Sequence, residues 1–388
     1  MTLKQTEEEF LNAYRALKAE SGTHSPSLID LLDKCSYLEI KIDACFLSNP
    51  YATDLFFEYF NNQVIQTGEL RNILEFYPSQ NRSIAKVLSN QIKVNSKNIF
   101  IGNGAIEIIQ AIFHQFDTGK TIINIPTFSS YYEFIKNPVN IIFNELKKEE
   151  NYKLNVDDYI KFVHKHKPKT VVLINPNNPD GNFIEVSQLE ILLDNLTEVK
   201  YVILDESFVH FAINEEGDYK LISSDSLIEK YPNLIIIKSL SKDFGIAGIR
   251  CGYGIMSEDK VSQLLKNGYL WNSNGIAEYF FRLYTQKDFF EKYNNVRIRY
   301  ILETQEFFRL LSKLPNIRIY SSQANFFLIE LLNGHSALSV QVKLLYRYGV
   351  YVRSCEDKIG LDGEFLRIAS RTLEQNMTIL KALREILN

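Results

Sequence analysis

The feature that most constrains the fold is a series of short apolar runs between residues 98 and 260. Each run consists of consecutive Ile, Val and Leu residues with few polar interruptions, as in Thr170–Ile174 and Leu234–Ile237. Strands that are buried on both faces show this pattern, because neither face meets water. Patterns typical of helices separate the runs. The sequence therefore predicts an α/β chain in which helices cover a mostly parallel sheet.

The pattern changes from about residue 285, where a long charged helix is followed by short strands and two further helices. A chain of 388 residues also exceeds one ordinary compact core, so two lobes are expected. We predict an N-terminal helical segment over residues 1–60 that joins the smaller domain, a large domain over residues 61–285, and a smaller α+β domain over residues 286–388.

Composition narrows the possible functions. The formal net charge is −4 without any block of basic residues, so nucleic-acid binding is not expected. Four cysteines without CxxC spacing and six histidines indicate neither a metal cluster nor a disulfide framework. The first nine residues include three glutamates and no apolar signal segment, and the apolar runs end well before membrane-spanning length. We expect a cytoplasmic protein that holds no metal and contacts no membrane.

The polar residues after the predicted strands are the place to expect chemistry, because ligands of such sheets bind beyond the carboxyl ends of the strands. Gly102–Glu107 is a glycine-containing turn that opens a helix. Small residues there let backbone N–H groups approach an anion, and the helix N-terminus adds its positive dipole. The turn is therefore a candidate phosphate site, with a plain tight turn as the alternative.

A second polar segment, Ser239–Arg250, follows another predicted strand. It places Lys242 just past the strand end, with the hydroxyls of Ser239 and Ser241 before it and Arg250 eight residues after it. A lysine in these surroundings suits attachment of a phosphorylated aldehyde cofactor as a Schiff base. A solvated loop lysine is the alternative explanation.

Three further strand ends carry residues suited to hold a planar cofactor. Phe128 offers a ring that can lie against it, although a core phenylalanine is the alternative. The turn Asn175–Gly181 is densely polar, and one of its asparagine amides can donate to a phenolate oxygen. Asp205 ends a buried run, where an unpaired acid is costly. Opposite a pyridine nitrogen, its charge would keep that nitrogen protonated and make the ring an electron sink.

In their order along the chain, these motifs resemble the fold-type-I pyridoxal-phosphate enzymes of the class I/II aminotransferase superfamily, over at least residues 77–371. The resemblance implies pyridoxal 5'-phosphate as cofactor, with Lys242 forming the Schiff base and moving protons and Asp205 pairing with the pyridinium. It also implies a homodimer in which Tyr77 reaches the neighbouring cofactor. The residues implied to contact the cofactor are Gly104, Ala105, Phe128, Asn178, Asp205, Ser239, Ser241, Lys242, Arg250 and Tyr77.

Two branches of the superfamily act on small phosphorylated amines: histidinol-phosphate aminotransferase and threonine-phosphate decarboxylase. The C-terminal segment resembles the decarboxylase more closely, in Val352–Cys355 and Leu366–Arg371, including the fourteen-residue step from Arg353 to Arg367. Phe208 agrees with that branch, because many of the aminotransferases have a tyrosine there.

The resemblance implies substrate-binding roles for Arg353, Arg367, Asn49 and Tyr77. Arginine suits bidentate binding of a substrate phosphate by Arg353, while Arg367 would hold the α-carboxylate. Surface or interface ion pairing is the alternative for both arginines. Whether His24 or Arg371 touches the substrate stays open.

The reaction depends on which bond at the substrate Cα overlaps the π system of the cofactor. Overlap of the Cα–carboxylate bond gives decarboxylation, and presentation of the Cα–H bond gives transamination. We expect decarboxylation of L-serine phosphate to ethanolamine phosphate, or of L-threonine phosphate to aminopropanol phosphate. These substrates differ by one methyl group, worth about 1–3 kcal/mol of discrimination.

Two other functions stay open on the sequence. One is a pyridoxal-phosphate-dependent aminotransferase of a small phosphorylated amine, similar to histidinol-phosphate aminotransferase. The other is a cofactor-binding regulatory module without catalysis, which the presence of Lys242, Asp205 and Arg250 disfavours.

Overall fold

A computed structural model describes residues 6–214, 225–269 and 271–388, so the first five residues of the predicted N-terminal segment lie outside it. The chain forms two compact units. The smaller unit comprises Met1–Leu47, Pro179–Gly181 and Ile301–Asn388, and the larger unit comprises Ser48–Asn178 and Asn182–Tyr300.

The described ranges contain fifteen α-helices and thirteen strands. The helices are α1 (Glu7–Glu20), α2 (Leu28–Lys34), α3 (Pro50–Phe60), α4 (Leu70–Glu75), α5 (Asn81–Ile92), α6 (Ala105–Gln115), α7 (Ser130–Glu133), α8 (Val156–His166), α9 (Val186–Asn195), α10 (Asp225–Lys230), α11 (Glu258–Lys266), α12 (Gly275–Tyr284), α13 (Lys287–Leu311), α14 (Ala337–Tyr348) and α15 (Leu373–Leu387). The strands are β1 (Ile42–Asp43), β2 (Ile99–Asn103), β3 (Thr121–Ile125), β4 (Ile141–Glu145), β5 (Thr170–Ile174), β6 (Tyr201–Asp205), β7 (Leu234–Ser239), β8 (Cys251–Ile255), β9 (Ile317–Ile319), β10 (Phe326–Leu331), β11 (Val350–Tyr351), β12 (Arg353–Ser354) and β13 (Phe365–Ala369). Within the described ranges, no helix has both the length and the apolar character needed to cross a membrane.

The larger unit is built on a seven-stranded sheet with the order β2-β8-β7-β6-β5-β3-β4. Strand β8 runs antiparallel to both of its neighbours, whereas the other pairs are parallel. The strands β2, β3, β5, β6 and β7 therefore share one direction, and their carboxyl ends meet at one edge. The loops after these strands are thereby gathered at that edge.

Both faces of this sheet are covered, as the apolar runs predict. On β6, Val202 and Leu204 enter one core cluster while Ile203 enters a second cluster. On β7, Leu234 and Ile236 enter the first cluster, whereas Ile235 and Ile237 enter the second. Because successive side chains of a strand point to opposite faces, the two clusters lie on opposite sides of the sheet. The predicted α/β fold with a mostly parallel mixed sheet is confirmed.

The smaller unit contains a four-stranded antiparallel sheet, β12-β13-β10-β9, and a two-stranded parallel pair of β1 with β11. Helices α1 and α2 pack on α14 and β11 through an apolar cluster that includes Phe10, Tyr14, Leu31, Leu345 and Tyr351. The N-terminal segment and the C-terminal part of the chain thus share one core. The four-stranded antiparallel sheet with its helices confirms the predicted smaller α+β domain of the fold, while the predicted domain boundaries stay a prediction.

Candidate active site

The turn after β2 is shaped by glycine. Gly104 has a φ of +77°, and a Cβ placed on it would lie 2.4 Å from Nη2 of Arg250. Gly252 on β8 is equally confined, because its Cβ would lie 2.7 Å from the backbone nitrogen of Ala105. Glycine therefore lets a guanidinium and a neighbouring strand approach the first turn of α6. Helix N-terminal N–H groups beside an arginine make a site for a phosphate.

The loop after β7 lies beside this turn. Ser239 pairs with Gly252, which in turn pairs with Gly102, so the two loops start on either side of the amino end of β8. The Ser239 hydroxyl accepts the backbone N–H of Ser241 at 3.2 Å. Arg250, with a φ of +66°, closes the far end of the loop. The structure thus brings the predicted phosphate-binding residues to the edge of the sheet at which the carboxyl ends of β2 and β7 lie.

Asp205, at the end of β6, is buried and held by both carboxylate oxygens. Oδ1 accepts the backbone N–H of Ser207 at 2.8 Å, and Oδ2 accepts the hydroxyl of Tyr131 at 2.8 Å. Burial raises the pKa of Asp205 above its ordinary value. The hydrogen bonds from Ser207 and Tyr131, and then the charge of Lys238, oppose this shift without cancelling it. The carboxylate is therefore fixed in place with few neighbouring donors, and a pyridinium would be a favourable partner for it.

Lys242 is half-buried, and its loop is held against the start of α3. The Lys242 carbonyl accepts the backbone N–H of Asn49 at 2.9 Å. This close approach of the two segments requires glycine at position 245, where φ is +65°, because a Cβ there would lie 2.3 Å from the Asn49 carbonyl oxygen. The predicted substrate residue Asn49 and the predicted Schiff-base lysine are therefore neighbours.

The side chain of Asn49 carries a buried donor. Its Oδ1 caps α3 by accepting the N–H of Tyr51 at 3.1 Å. Its Nδ2 is buried and has no hydrogen-bond partner among the described residues. A buried amide without an acceptor is costly. An oxygen of a bound ligand would satisfy this group.

Phe128 and Asn178 follow the adjacent strands β3 and β5. Two hydrogen bonds join the loops after these strands. The Thr127 hydroxyl donates to Oδ1 of Asn177 at 3.0 Å, and Nδ2 of Asn177 donates to the carbonyl of Pro126 at 3.0 Å. Asn178 is buried and Phe128 is partly buried. Their contacts with a cofactor stay a prediction.

Tyr77 lies on the surface of the larger unit, with 84% of its area exposed. Its ring centre is 5.4 Å from that of Trp271. Phe76 and Leu74 nearby in the chain are exposed as well, at 65% and 71%. Four large exposed apolar side chains within or beside one short segment are typical of an interaction surface.

In the smaller unit, Arg353 on β12 lies directly opposite Arg367 on β13. Nη1 of Arg353 donates to the hydroxyl of Ser25 at 2.8 Å, and Nη2 donates to the carbonyl of Thr23 at 2.8 Å and to Asp357 at 2.7 Å. Arg353 therefore anchors the loop between α1 and α2. This contact agrees with the ion-pairing alternative and leaves the substrate role a prediction.

The surroundings of the two arginines are rich in positive charge. Arg367 is buried and donates to the carbonyl of Cys45 at 2.8 Å. Lys358 is buried too, and burial followed by the charge of Arg353 lowers its pKa to about 8. Together with Lys18, which contacts Asp357 at 2.9 Å, these cations outnumber the carboxylate of Asp357 within the described residues.

Excess buried positive charge is unfavourable unless an anion balances it. Burial raises the pKa of the Cys45 and Cys355 thiols in this cluster, so neither thiol supplies a compensating charge. Like charges directly opposite in paired strands, as in Arg353 and Arg367, add to the cost. The cluster is therefore suited to an anionic ligand.

The two positions left open by the sequence have ordinary local roles. His24 is exposed, and its carbonyl accepts Nζ of Lys18 at 2.8 Å. The backbone N–H of Arg371 donates to Oδ1 of Asn376 at 2.7 Å. A contact of either residue with substrate stays a prediction.

Three residues were not singled out by the sequence: Tyr131, Ser207 and Lys358. Tyr131 and Ser207 position Asp205, and Lys358 contributes to the cation cluster. Tyr131 is 74 positions from its partner. No short motif contains both groups, so the sequence carries no local signal for this contact.

The fold and the residues at the strand edge define a pyridoxal-phosphate-dependent enzyme of fold type I. A glycine-shaped helix N-terminus with an arginine fits the cofactor phosphate, a half-buried lysine fits the aldehyde, and a fixed buried carboxylate fits the pyridine nitrogen. The chain belongs to the class I and II aminotransferase family, whose family model matches residues 61–383.

Two relatives match the chain over nearly its whole length. It is 54% identical over 384 residues to the L-serine phosphate decarboxylase of Campylobacter jejuni, covering 99% of this chain and 98% of the relative. It is 46% identical over 386 residues to the L-serine phosphate decarboxylase of Sulfurospirillum multivorans, covering 100% and 98%.

Solved structures agree with this similarity. A decarboxylase from Sulfurospirillum multivorans superimposes with a TM-score of 0.93 at 46% identity, covering 98% of this chain and 97% of the other. The histidinol-phosphate aminotransferase from Clostridium acetobutylicum gives a TM-score of 0.77 at 28% identity, covering 89% and 99%. The predicted superfamily and its cofactor, pyridoxal phosphate, are confirmed.

Proposed function

We propose that this protein decarboxylates L-serine phosphate to ethanolamine phosphate and carbon dioxide with pyridoxal phosphate. The observation that carries the proposal is the end-to-end similarity to two L-serine phosphate decarboxylases, at 54% and 46% identity. The residues after the strands of the larger unit support the same activity because they provide for a phosphorylated cofactor, and the cation cluster of the smaller unit supports it because it provides for an anionic substrate.

When bound, pyridoxal phosphate supplies an electron sink for the pair left on Cα as carbon dioxide departs. Lys242 holds the cofactor and returns a proton from Nζ to Cα. Asp205, fixed by Tyr131 and Ser207, keeps a proton on the pyridine nitrogen. The α6 N-terminus with Gly104, Ala105, Ser239, Ser241 and Arg250 binds the cofactor phosphate, while Phe128 and Asn178 hold the ring.

The substrate carries two anionic groups, and this chain offers donors for both. Arg367 binds the α-carboxylate and Arg353 binds the phosphate bidentately. The excess positive charge around both arginines supports these roles. Asn49 donates its buried Nδ2 to a substrate oxygen, which would satisfy the hydrogen bond that this amide lacks among the described residues.

The active form is a homodimer in the cytoplasm. The exposed ring of Tyr77 and its apolar neighbours support a subunit interface through which Tyr77 reaches the neighbouring cofactor and substrate. Four buried cysteines that form no disulfide support a reducing compartment.

In the test, purified protein with cofactor is incubated separately with L-serine phosphate, with L-threonine phosphate, and with histidinol phosphate plus 2-oxoglutarate. Carbon dioxide, phosphorylated amines, keto acids, ketones and glutamate are measured in each incubation. We expect carbon dioxide and ethanolamine phosphate in equal amounts from L-serine phosphate. The kcat/KM for L-threonine phosphate should be lower by roughly 10- to 200-fold, because its extra methyl group must be accommodated.

Lys242→Ala should lose both the Schiff-base absorbance band and decarboxylation, while Lys266→Ala, an exposed lysine on α11, should keep both. Absence of carbon dioxide from L-serine phosphate would refute the proposal. Formation of a phosphorylated ketone and glutamate from histidinol phosphate and 2-oxoglutarate in its place would favour the aminotransferase alternative.

A further inference from the structure

A network of buried charges lies directly behind the lysine loop. Asp243, the residue after Lys242, is fully buried. Its Oδ2 lies 2.9 Å from Nζ of Lys238 and 2.5 Å from Nδ1 of His210. Lys238 and His210 are themselves 1% and 2% exposed. Charged groups are rarely buried so completely unless they are paired.

The network reaches the loop that carries Asp205. Nζ of Lys238 also donates to the carbonyl of Ser207 at 3.4 Å, and the hydroxyl of Ser207 accepts the backbone N–H of Ser239 at 3.2 Å. The backbone N–H of Ser207 holds Oδ1 of Asp205. Lys238 therefore joins the two loops from which the Schiff-base lysine and the pyridine-binding acid arise.

Helix α13 supports the same network from the other side. The hydroxyl of Tyr293 lies 3.2 Å from Nδ1 of His210, and Nη1 of Arg297 donates to the His210 carbonyl at 3.1 Å. Burial, followed by the charge of Lys238, lowers the pKa of His210 to about 4, so the imidazole is neutral at neutral pH. Lys238 and Asp243 are then the charged pair of the network, and Nδ1 of the neutral His210 is a donor to the carboxylate.

Both contacts of Asp243 are made by the same oxygen. Among the described residues, its Oδ1 has no hydrogen-bond partner. Loss of the lysine would leave the carboxylate with a single neutral donor in a dry environment, and loss of the carboxylate would leave an unpaired buried ammonium. The side chain of Asp243 is thereby confined to one position, and with it the adjacent backbone of Lys242.

We propose that Lys238, Asp243 and His210 are positioning residues of the reaction, forming a buried network that fixes the Lys242 loop relative to the Asp205 loop. The proposal rests on the assignment of Lys242 and Asp205 in the proposed function. A salt bridge that served folding alone would contribute little, because replacing a buried pair with apolar groups is often neutral for stability.

The test compares the holoenzymes of Lys238→Met, Asp243→Asn and the double variant Lys238→Met/Asp243→Asn. Cofactor absorbance is titrated with pH, and kcat and KM are measured separately. Other polar groups also face the two loops: Tyr131 and Ser207 contact Asp205, and Tyr293 and Arg297 contact His210. These four residues are unchanged in all three variants, so a shift in the pH midpoint of the cofactor absorbance reports the charges that were removed.

Lys238→Met leaves an unbalanced negative charge and should raise the pH midpoint of the absorbance change, whereas Asp243→Asn leaves a positive charge and should lower it. Each shift should be up to about one pH unit. The double variant should titrate near wild type, because no charge is left unpaired. Its kcat should fall at least about 10-fold with KM little changed, because the loop is no longer fixed.

Thr170→Val is the matched control, since Thr170 is a fully buried residue at the amino end of β5 whose hydroxyl donates to the Thr118 carbonyl at 2.7 Å. It should lower thermal stability without changing the titration or kcat. If the single variants do not fold, the double variant decides. A double variant with wild-type kcat would overturn the proposal, as would single variants that titrate like wild type. Wild-type enzyme inactive on L-serine phosphate would refute the proposed function instead, because the titration does not depend on substrate.

Discussion

The hydroxyl of Tyr131 donates to Oδ2 of Asp205 at 2.8 Å, inside the larger unit and out of contact with water. This bond joins the short helix α7 to the end of β6. It orients one carboxylate oxygen while Ser207 orients the other. Asp205, the acid proposed to pair with the pyridine nitrogen, is therefore oriented by Tyr131 and Ser207, which the sequence did not single out.

Tyr131→Phe should raise the pKa of Asp205, because a hydrogen bond that lowers it is lost. The ionised carboxylate is present above its pKa and lost as pH falls through it. The acid limb of kcat should therefore move to higher pH, by about one unit. The measurement is the pH profile of kcat for L-serine phosphate.

Tyr159→Phe is the control for this change, since Tyr159 is a buried tyrosine whose hydroxyl has no partner among the described residues. It should leave the acid limb where it is. An unchanged acid limb in Tyr131→Phe as well would contradict the role given to this hydroxyl.

Gly104→Ala should weaken cofactor binding. The new methyl would overlap Nη2 of Arg250, and the φ of +77° would be strained in any L-residue. Gly68→Ala is matched, because Gly68 has a φ of +79° with open space around it. Both variants should lose about 1–2 kcal/mol of stability, but the dissociation constant of the cofactor should rise at least about 10-fold in Gly104→Ala alone. Equal affinities in the two variants would argue against a phosphate site at this turn.

Arg353→Lys should raise KM for L-serine phosphate about 10-fold or more, because an ammonium cannot bind a phosphate bidentately. Arg347→Lys in the same unit is the control, since Arg347 forms an exposed pair with Glu7 at 2.6 Å. Steady-state kinetics and thermal unfolding are measured on both. A lowered melting temperature with unchanged KM would show that Arg353 serves only to hold the loop at Thr23–Ser25.

Tyr77→Ala and Lys242→Ala should complement one another when their subunits are mixed and allowed to exchange. If Tyr77 acts in the neighbouring site, each mixed dimer has one complete site. Half of the dimers are mixed, so activity should recover to about a quarter of wild type. No recovery, with exchange verified by differently tagged subunits, would indicate that Tyr77 acts within its own subunit or not at all.

Much of the larger unit could be predicted because its strands are buried on both faces. Runs such as Thr170–Ile174 have that composition whatever their neighbours are. Strand β4, at the sheet edge, is half-exposed and contains Asn144, so its sequence does not distinguish it from a loop. Strand β1, two residues long, is defined by its pairing with β11 some 300 positions later rather than by its own residues.

The same distinction explains which site residues could be found. Asp205 ends strand β6 and Lys242 lies three residues past the end of β7, where the sheet predicts chemistry, whereas Lys238 lies inside a strand and gives no sign that it is buried. The hydrogen bond from Arg353 to Thr23 joins residues 330 positions apart. Such contacts depend on the packed fold and have no counterpart in a local pattern.

The pairing of Ile42 with Val350 has a consequence for synthesis of the chain. The ribosome releases the first part of the smaller unit, up to Leu47, long before the second part that begins at Ile301. At ordinary rates of chain elongation the intervening residues take roughly ten to fifty seconds to emerge. During that interval the apolar side of α1 lacks its partners α14 and β11, so this segment of the nascent chain is a candidate for chaperone capture until those elements have emerged.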